Sequence, residues 1–162
     1  MKGYWKQEKE TSETIIDGWL YTGDLADIDE DGFITIKDRK KEIIVNSGGD
    51  NIAPVRPESA LTFQDIIHQA MVSGDRRSYL VAVIVTEPEI VKDMDEKDIE
   101  KNVAIAVRTA NENLSQIEKI RRYIIINEPF STDNGMLTPT MKLRRHMINE
   151  VYGEQLDSLY KK

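Results

Sequence analysis

The residues that most constrain the fold of this chain are the apolar run Tyr79–Val85. A strand with one solvated face alternates apolar and polar side chains, whereas a strand covered on both faces is apolar throughout. The run therefore predicts a central β-strand that is buried on both faces.

The same run is too short to span a bilayer, and the polar amino terminus lacks the apolar core of a signal peptide. We therefore expect a soluble, cytoplasmic protein with no transmembrane segment. Any association with a membrane is expected to be peripheral.

Further helices and strands are predicted on both sides of this run. Apolar residues recur every three or four positions over one long segment, which predicts an amphipathic helix carrying Ile99, Val103, Ala106, Val107, Ala110, Leu114 and Ile117. Shorter helices are predicted at Pro54–Phe63 and in the segment that carries Leu143, Met147, Ile148, Val151 and Leu156. Strands are predicted at Trp19–Tyr21, Phe33–Lys37, Ile43–Val45, Ala70–Val72 and Tyr123–Ile126. This order predicts a small α+β fold, a short β-sheet with helices packed on one side of it.

The charge and the residue inventory exclude several classes of function. The 22 Lys and Arg and the 29 Asp and Glu residues give a net charge of -7. A nucleic-acid partner is therefore not expected, because phosphate binding draws on clustered Lys and Arg. There is no cysteine, which excludes disulfides, thiolate catalysis and cysteine-ligated zinc. His68 and His146 have no neighbouring carboxylate or nucleophile pattern and receive no role, and no metal site is predicted.

An acidic segment matches part of a calcium-binding loop. Asp27, Asp29, Asp31 and Gly32 occupy its first, third, fifth and sixth positions, and Asp38 occupies the twelfth. That loop lies between two helices, whereas the residues after Gly32 alternate like a strand, and the usual glutamate at the twelfth position is absent. The acidic segment is therefore predicted to be a solvated hairpin turn.

Four motifs follow one another along the chain, namely Gly18–Asp24 (GWLYTGD), Asp38–Ile44 (DRKKEII), Ser47–Ile52 (SGGDNI) and Leu137–Arg145 (LTPTMKLRR). In this order and spacing they resemble the adenylate-forming, AMP-binding acyl-CoA synthetases, and the last motif is most similar to the long-chain fatty-acid branch. The resemblance covers the whole chain. It implies the C-terminal end of an enzyme that makes an acyl-adenylate and pyrophosphate from ATP, then transfers the acyl group to coenzyme A.

The resemblance also implies a division into two parts. Residues 1–38 are expected to be the terminal strands of a large N-terminal domain, which would precede Met1. Residues 39–162 are expected to be a mobile C-terminal lid domain with its hinge near Lys41. The position, rather than the lysine side chain, would absorb the rotation between adenylation and thioester formation. Because the phosphate loop and the acyl pocket belong to the large domain, the chain alone is expected to be inactive.

Asp24 and Arg39 are the candidate nucleotide-binding residues. A carboxylate after a glycine at a strand end can accept hydrogen bonds from both ribose hydroxyls, and a guanidinium can donate to ribose or phosphate. The resemblance gives the two residues these roles. Their chemistry alone also fits a turn residue for Asp24 and one charge of a solvated cluster for Arg39.

Gly48 and Gly49 are the candidate CoA-binding residues. Paired glycines after a strand allow the backbone to approach a ligand closely, and the resemblance assigns this loop to the pantetheine channel. An ordinary hairpin turn is the alternative.

Lys142 is the candidate catalytic residue. The resemblance has its ammonium reach the carboxylate and the α-phosphate during adenylation, where it stabilises negative charge. The alternative is a surface lysine at the start of a basic helix with Arg144 and Arg145.

The resemblance implies ATP, CoA and Mg²⁺ as cofactors of the intact enzyme, none of them tightly bound by this part alone. A fatty acid is the implied substrate, and the large domain is the implied partner. The alternative function is a non-catalytic binding module that engages CoA, a pantetheine arm or a protein partner through the same surface.

Overall fold

The computed structural model describes residues 1–161, and within them every side chain except those of Lys37 and Asp38. The chain divides into two compact units, the first covering Met1–Glu42 and the second beginning at Ile43.

The first unit consists of short antiparallel strand pairs and one helix. In chain order its elements are α1 (Glu8–Thr14), β1 (Ile15–Ile16), β2 (Trp19–Leu20), β3 (Asp24–Ile28) and β4 (Ile34–Arg39), with β1 paired to β2 and β3 paired to β4. The prediction of strands alone missed α1. This helix buries none of its residues, so it has no apolar periodicity to reveal it.

The hairpin of β3 and β4 confirms the predicted acidic turn. Asp29 Oδ1 accepts hydrogen bonds from the backbone N–H groups of Asp31 at 3.1 Å and Phe33 at 2.8 Å. The carboxylate thus stabilises its own turn, as aspartate commonly does. Strands rather than helices flank the turn, which contradicts the calcium-loop alternative. The side chain of Asp38, which stands at the twelfth position of that pattern, lies outside the described residues.

The second unit contains a small hairpin, a three-stranded sheet and four helices among its described residues. In chain order its elements are β5 (Ile44–Val45), β6 (Asn51–Ile52), α2 (Val55–Thr62), β7 (Ile67–Ser73), β8 (Leu80–Thr86), α3 (Pro88–Val91), α4 (Glu96–Glu112), β9 (Ile120–Ile126) and α5 (Arg145–Ser158). The sheet order is β7-β8-β9, with β8 antiparallel to β7 and parallel to β9. All residues of β8 are buried, which confirms the predicted central strand.

Helices cover both faces of this sheet, so the prediction of helices on one side is wrong. Leu80, Ala82 and Ile84 pack in a cluster with residues of α2 and α4. The alternate residues of β8, such as Val81 and Val83, pack in a second cluster with residues of α5. A strand that is apolar throughout needs apolar partners on both faces, and α5 supplies the second layer.

The long amphipathic helix is confirmed, but its predicted end is wrong. α4 begins after Asp95, whose side chain accepts from the Asp98 N–H at 2.8 Å, and ends at Glu112. Leu114 lies beyond the helix and is only 6% exposed. The apolar spacing continued past the helix because Leu114 packs in the same core from the following turn. No helix within residues 1–161 is both long and apolar enough to cross a membrane.

Candidate functional site

Asp24 and Arg39 form an ion pair across the β3–β4 hairpin. They are partners in the strand register, and Arg39 Nε lies 2.8 Å from Asp24 Oδ1. Thr22 contacts both residues, because its Oγ1 accepts from the Asp24 N–H at 3.1 Å and its carbonyl accepts from Arg39 Nη1 at 3.2 Å. The Asp24 side chain is 26% exposed and that of Arg39 is 57% exposed. The arrangement presents a carboxylate that can accept from hydroxyl groups beside a cation that can donate to an anion.

Lys41, the proposed hinge position, lies in a turn between β4 and β5 and is exposed. On the β4 side, the Lys40 N–H donates to the Gly23 carbonyl at 2.8 Å and the Glu42 N–H donates to the Arg39 carbonyl at 2.9 Å. The boundary between the two compact units follows Glu42 directly. This turn is therefore the covalent connection between the units.

Gly48 and Gly49 lie in the segment that joins β5 to β6, residues 46–50, here called the glycine loop. Asn46 organises it: its Oδ1 accepts from the Gly48 N–H at 2.8 Å and the Asp50 N–H at 2.9 Å. Gly49 has φ +87, a conformation that favours glycine. A Cβ atom at this position would meet nothing within 4 Å, so the space beside the Gly49 backbone is open.

The turn between β7 and β8 holds the start of the glycine loop. The Val45 N–H donates to Asp75 Oδ1 at 3.1 Å, and the Arg76 N–H donates to the Val45 carbonyl at 2.7 Å. The Ser47 N–H donates to the Arg77 carbonyl at 2.9 Å. These bonds tie the glycine loop to one end of the three-stranded sheet.

Lys142 lies in a tight loop, residues 137–143, here called the lysine loop. An antiparallel bridge between Leu137 and Leu143 closes its base. Near its tip, the Thr138 N–H donates to the Lys142 carbonyl at 2.8 Å, and the Lys142 N–H donates to Thr138 Oγ1 at 3.0 Å. The Lys142 side chain is exposed, and its ammonium makes no ion pair or hydrogen bond with any other residue that the structure describes. The ammonium is thus available to an anionic group from outside the chain.

The helix that follows the lysine loop is attached to α2 by an ion pair. Arg145 contacts Glu58 through two hydrogen bonds of 2.5 and 2.7 Å, and the two side chains are 19% and 10% exposed. Glu58 also accepts from the Val72 N–H at 2.8 Å. Arg145 is therefore a largely buried structural residue and not part of a solvated basic surface.

Sequence reasoning missed the residues that organise the two loops. The motifs do not identify Asn46 or Thr138 as such residues, although an asparagine two residues before a glycine pair is a turn signal that indicates the first. The expectation that His68 lacks a carboxylate is wrong, because its Nδ1 lies 2.8 Å from Glu87 Oε2. Those two residues are far apart in sequence and meet only in the fold. Among the described side chains, no group of three or more His, Asp and Glu residues is placed to hold a metal ion.

Tyr160 has a perturbed pKa. Burial raises the pKa of its phenol to about 12, and the cation of Arg77, 4.8 Å from the ring centroid, opposes the shift only in part. Tyr160 Oη donates to the Tyr79 carbonyl at 3.1 Å. The neutral phenol thus fixes the end of the chain to the start of β8.

Comparison with known proteins identifies the family. Residues 41–162 match the family model of the AMP-binding enzyme C-terminal domain. The long-chain-fatty-acid–CoA ligase FadD15 of Mycobacterium tuberculosis is 38% identical over 176 aligned positions, which cover 99% of this chain and 29% of FadD15. The long-chain-fatty-acid–CoA ligase ACSBG2 of Xenopus laevis is 32% identical, and the match covers 98% of this chain and 26% of that protein. The chain thus spans less than a third of the length of these relatives.

Solved structures with the same fold include adenylation domains of carboxylate reductases. The adenylation domain of the carboxylate reductase from Mycobacterium chelonae superposes with a TM-score of 0.89 at 29% identity, over 99% of this chain and 26% of that one. The corresponding domain from Segniliparus rugosus, solved with AMP and a co-purified carboxylic acid, gives 0.84 at 30% identity, over 98% and 26%. Because the family model matches most of the sequence and the fold agrees, the chain belongs to the AMP-binding enzyme C-terminal domain family.

Proposed function

We propose that this chain supplies the C-terminal part of an ATP-dependent fatty-acid–CoA ligase, which forms an acyl-adenylate and then an acyl-CoA thioester. The observation that carries the proposal is the match to FadD15, a named long-chain-fatty-acid–CoA ligase, over 99% of this chain. The exposed Lys142 ammonium adds a chemical reason, since it has no partner among the described residues.

In this proposal, Lys142 stabilises the negative charge that develops when the fatty-acid carboxylate attacks the α-phosphate of ATP. A fixed cation is effective when it is aimed at charge that appears in the transition state. An ammonium on a short surface loop can enter a site built by another domain. It can also be withdrawn from that site before the thioester step.

Asp24 and Arg39 would bind the ribose of the nucleotide. An ionised carboxylate has about four lone-pair positions, so Asp24 can contact Arg39 and still accept from ribose hydroxyls. Arg39 would orient that carboxylate and place its cation beside the nucleotide. The half-exposed pair suits this task, because both side chains are reachable from solvent.

Residues 39–162 would act as a lid that turns about a hinge near Lys41. The lid would present the lysine loop for adenylation and the glycine loop for transfer to CoA. Gly48 and Gly49 would line the path of the pantetheine arm, where the open space beside Gly49 allows close approach.

Residues 1–38 would form the last strands of a larger N-terminal domain. Several side chains of the β3–β4 hairpin support this assignment, since Ile28, Phe33, Ile34 and Ile36 are each more than 65% exposed. An apolar strand surface of this kind is normally covered in a folded protein. The corresponding partner is the portion of the relatives that this chain does not span.

The cofactors required by the proposal are ATP, CoA and Mg²⁺, and a fatty acid is the acyl donor. The cytoplasm, where ATP and CoA are both available, is the compartment we propose. Peripheral contact with a membrane is compatible with a lipid substrate.

A fusion experiment tests the proposal. The chain would replace the matching C-terminal segment of FadD15, and acyl-CoA formation would be measured with ATP, CoA and a panel of fatty acids. We expect the fusion to form acyl-CoA and the N-terminal portion of FadD15 alone to form none. A folded fusion that is inactive beside an active intact FadD15 would contradict the proposal, and saturable CoA binding by it would favour a non-catalytic binding module.

A further inference from the structure

The base of the lysine loop is held by bonds that do not involve Lys142. Gln69 of β7 exchanges two hydrogen bonds with the backbone of Phe130, at 2.7 and 3.0 Å. The Leu137 N–H donates to the Ser131 carbonyl at 2.9 Å, and the Arg144 N–H donates to the Met136 carbonyl at 2.8 Å. The segments on both sides of the loop are therefore tied down.

At the tip, the backbone reverses in an unfavourable conformation. Met141 has φ +61, although its side chain carries a Cβ that disfavours the left-handed region. Such a conformation persists where surrounding bonds determine it. The Met141 N–H donates to the Thr138 carbonyl at 2.8 Å, so Thr138 is the partner that stabilises this reversal.

Thr138 also holds Lys142 through its hydroxyl. The Lys142 N–H donates to Thr138 Oγ1 at 3.0 Å, and Thr138 Oγ1 lies 3.0 Å from Thr140 Oγ1. When the Thr138 hydroxyl accepts from Lys142, its own hydrogen can be donated to Thr140. Among the described residues, Thr138 is the one whose side chain makes a hydrogen bond with the Lys142 backbone.

The conformation of the Lys142 backbone determines where the ammonium is presented. A lysine side chain has a flexible four-carbon stem, so its charge is directed only as well as its backbone is fixed. We propose that Thr138 is a positioning residue, whose hydroxyl fixes the Lys142 backbone and so aims the ammonium at the charge it stabilises. This inference rests on the proposed function of Lys142 in adenylation.

The test uses three threonine variants, two at position 138 and one at position 132. Thr138→Val removes the hydroxyl at nearly constant volume, and Thr138→Ser retains it. Thr132→Val is the matched control, because Thr132 is exposed, lies in the preceding segment and uses no side-chain hydrogen bond within the described chain. Melting temperatures of all three would be measured first, and we expect them to stay close to that of the parent.

Two readouts separate a positioning role from a structural one. Amide hydrogen exchange by NMR on the chain itself reports whether the Lys142 N–H has lost its acceptor. ATP–pyrophosphate exchange in the FadD15 fusion reports kcat and KM for adenylation. We expect Thr138→Val to speed Lys142 amide exchange and to lower kcat by roughly threefold to tenfold, with KM values unchanged, while Thr138→Ser and Thr132→Val resemble the parent.

Two results would overturn the inference. One is Lys142 amide exchange in Thr138→Val equal to that in Thr132→Val. The other is faster exchange in Thr138→Val with an unchanged kcat. A parent fusion that itself lacks activity would instead overturn the proposed function, and with it the role of Thr138 in adenylation. The activity of the parent fusion therefore distinguishes this failure from the other two.

Discussion

Arg39 Nε lies 2.8 Å from Asp24 Oδ1, and the two residues are direct partners in the register of β3 and β4. Asp24 and Arg39 belong to different sequence motifs, each of which indicates nucleotide binding, and in the fold they form one ion pair. Their pairing makes it possible to test them together.

Replacing Asp24 or Arg39 with alanine is expected to raise KM for ATP about tenfold in the fused enzyme, because charge-assisted hydrogen bonds to the nucleotide are lost. Since the residues contact each other, the double variant should be less impaired than the two single effects multiplied. Steady-state kinetics of the three variants measure this. The free energy of unfolding should change by less than about 1 kcal/mol, because the pair is partly solvated. The control is Glu13→Gln, which removes one partner of the exposed Lys9–Glu13 pair. Effects of Asp24→Ala and Arg39→Ala that are fully additive in the double variant would contradict the coupling.

Gly49→Ala is expected to lower the free energy of unfolding by about 1 kcal/mol, because Gly49 has φ +87 and alanine is strained there. Gly153→Ala is the matched control, since Gly153 lies inside α5 and an added Cβ meets nothing within 4 Å. That variant should gain roughly 0.5–1 kcal/mol in stability. Urea denaturation of both variants checks the prediction, which fails if they shift in the same direction.

Arg145→Ala is expected to destabilise the protein by about 3 kcal/mol, because it leaves the Glu58 carboxylate largely buried without its cation. Replacing both residues with apolar ones, Glu58→Leu with Arg145→Met, should recover part of that loss. Lys92→Ala removes a solvated lysine 3.4 Å from Glu89 and should change stability by less than about 1 kcal/mol. Denaturant unfolding measures all three, and equal effects of Arg145→Ala and Lys92→Ala would contradict the account.

Stability is expected to fall between pH 10 and pH 12. The folded pKa of Tyr160 is raised to about 12, above the ordinary value of 10.0. A group whose folded pKa is raised contributes stability that is complete below its unfolded pKa and is lost as the pH rises through the folded one. Burial also raises the pKa values of Tyr123 and Tyr152, so Tyr160→Phe should weaken the pH dependence without removing it. Unfolding measured across this range tests the prediction, and an identical profile for parent and variant would refute it.

The sequence was sufficient to predict the elements whose apolar pattern is compatible with a single secondary structure and burial. The apolar run of β8 had to be central, and the spacing of Val103, Val107 and Ala110 had to form one face of α4. It was insufficient for α1, which buries no side chain, and for the end of α4, where Leu114 continues the apolar spacing from a turn. Patterns report burial, and burial does not always coincide with regular structure.

For the candidate site, the motifs indicated positions but not the contacts that support them. The pairing of Asp24 with Arg39 depends on the register of a hairpin whose first strand was not predicted. The bonds from Asn46 and Thr138 depend on loop conformations with positive φ nearby, and Glu58 meets Arg145 from 87 residues away. The first two sets of contacts depend on loop conformation and the third on tertiary structure, so none of them appears as a periodicity in the sequence.

The most direct test of the account is fatty-acid-dependent ATP–pyrophosphate exchange by the FadD15 fusion carrying Lys142→Ala, compared with the parent fusion. Lys101→Ala, which removes an exposed lysine of α4, is the control. We predict that Lys142→Ala lowers the exchange rate by about 100-fold or more, as removal of a transition-state charge contact typically does, and that Lys101→Ala leaves it unchanged. Exchange by Lys142→Ala at the parent rate would contradict the assignment of adenylation chemistry to the lysine loop.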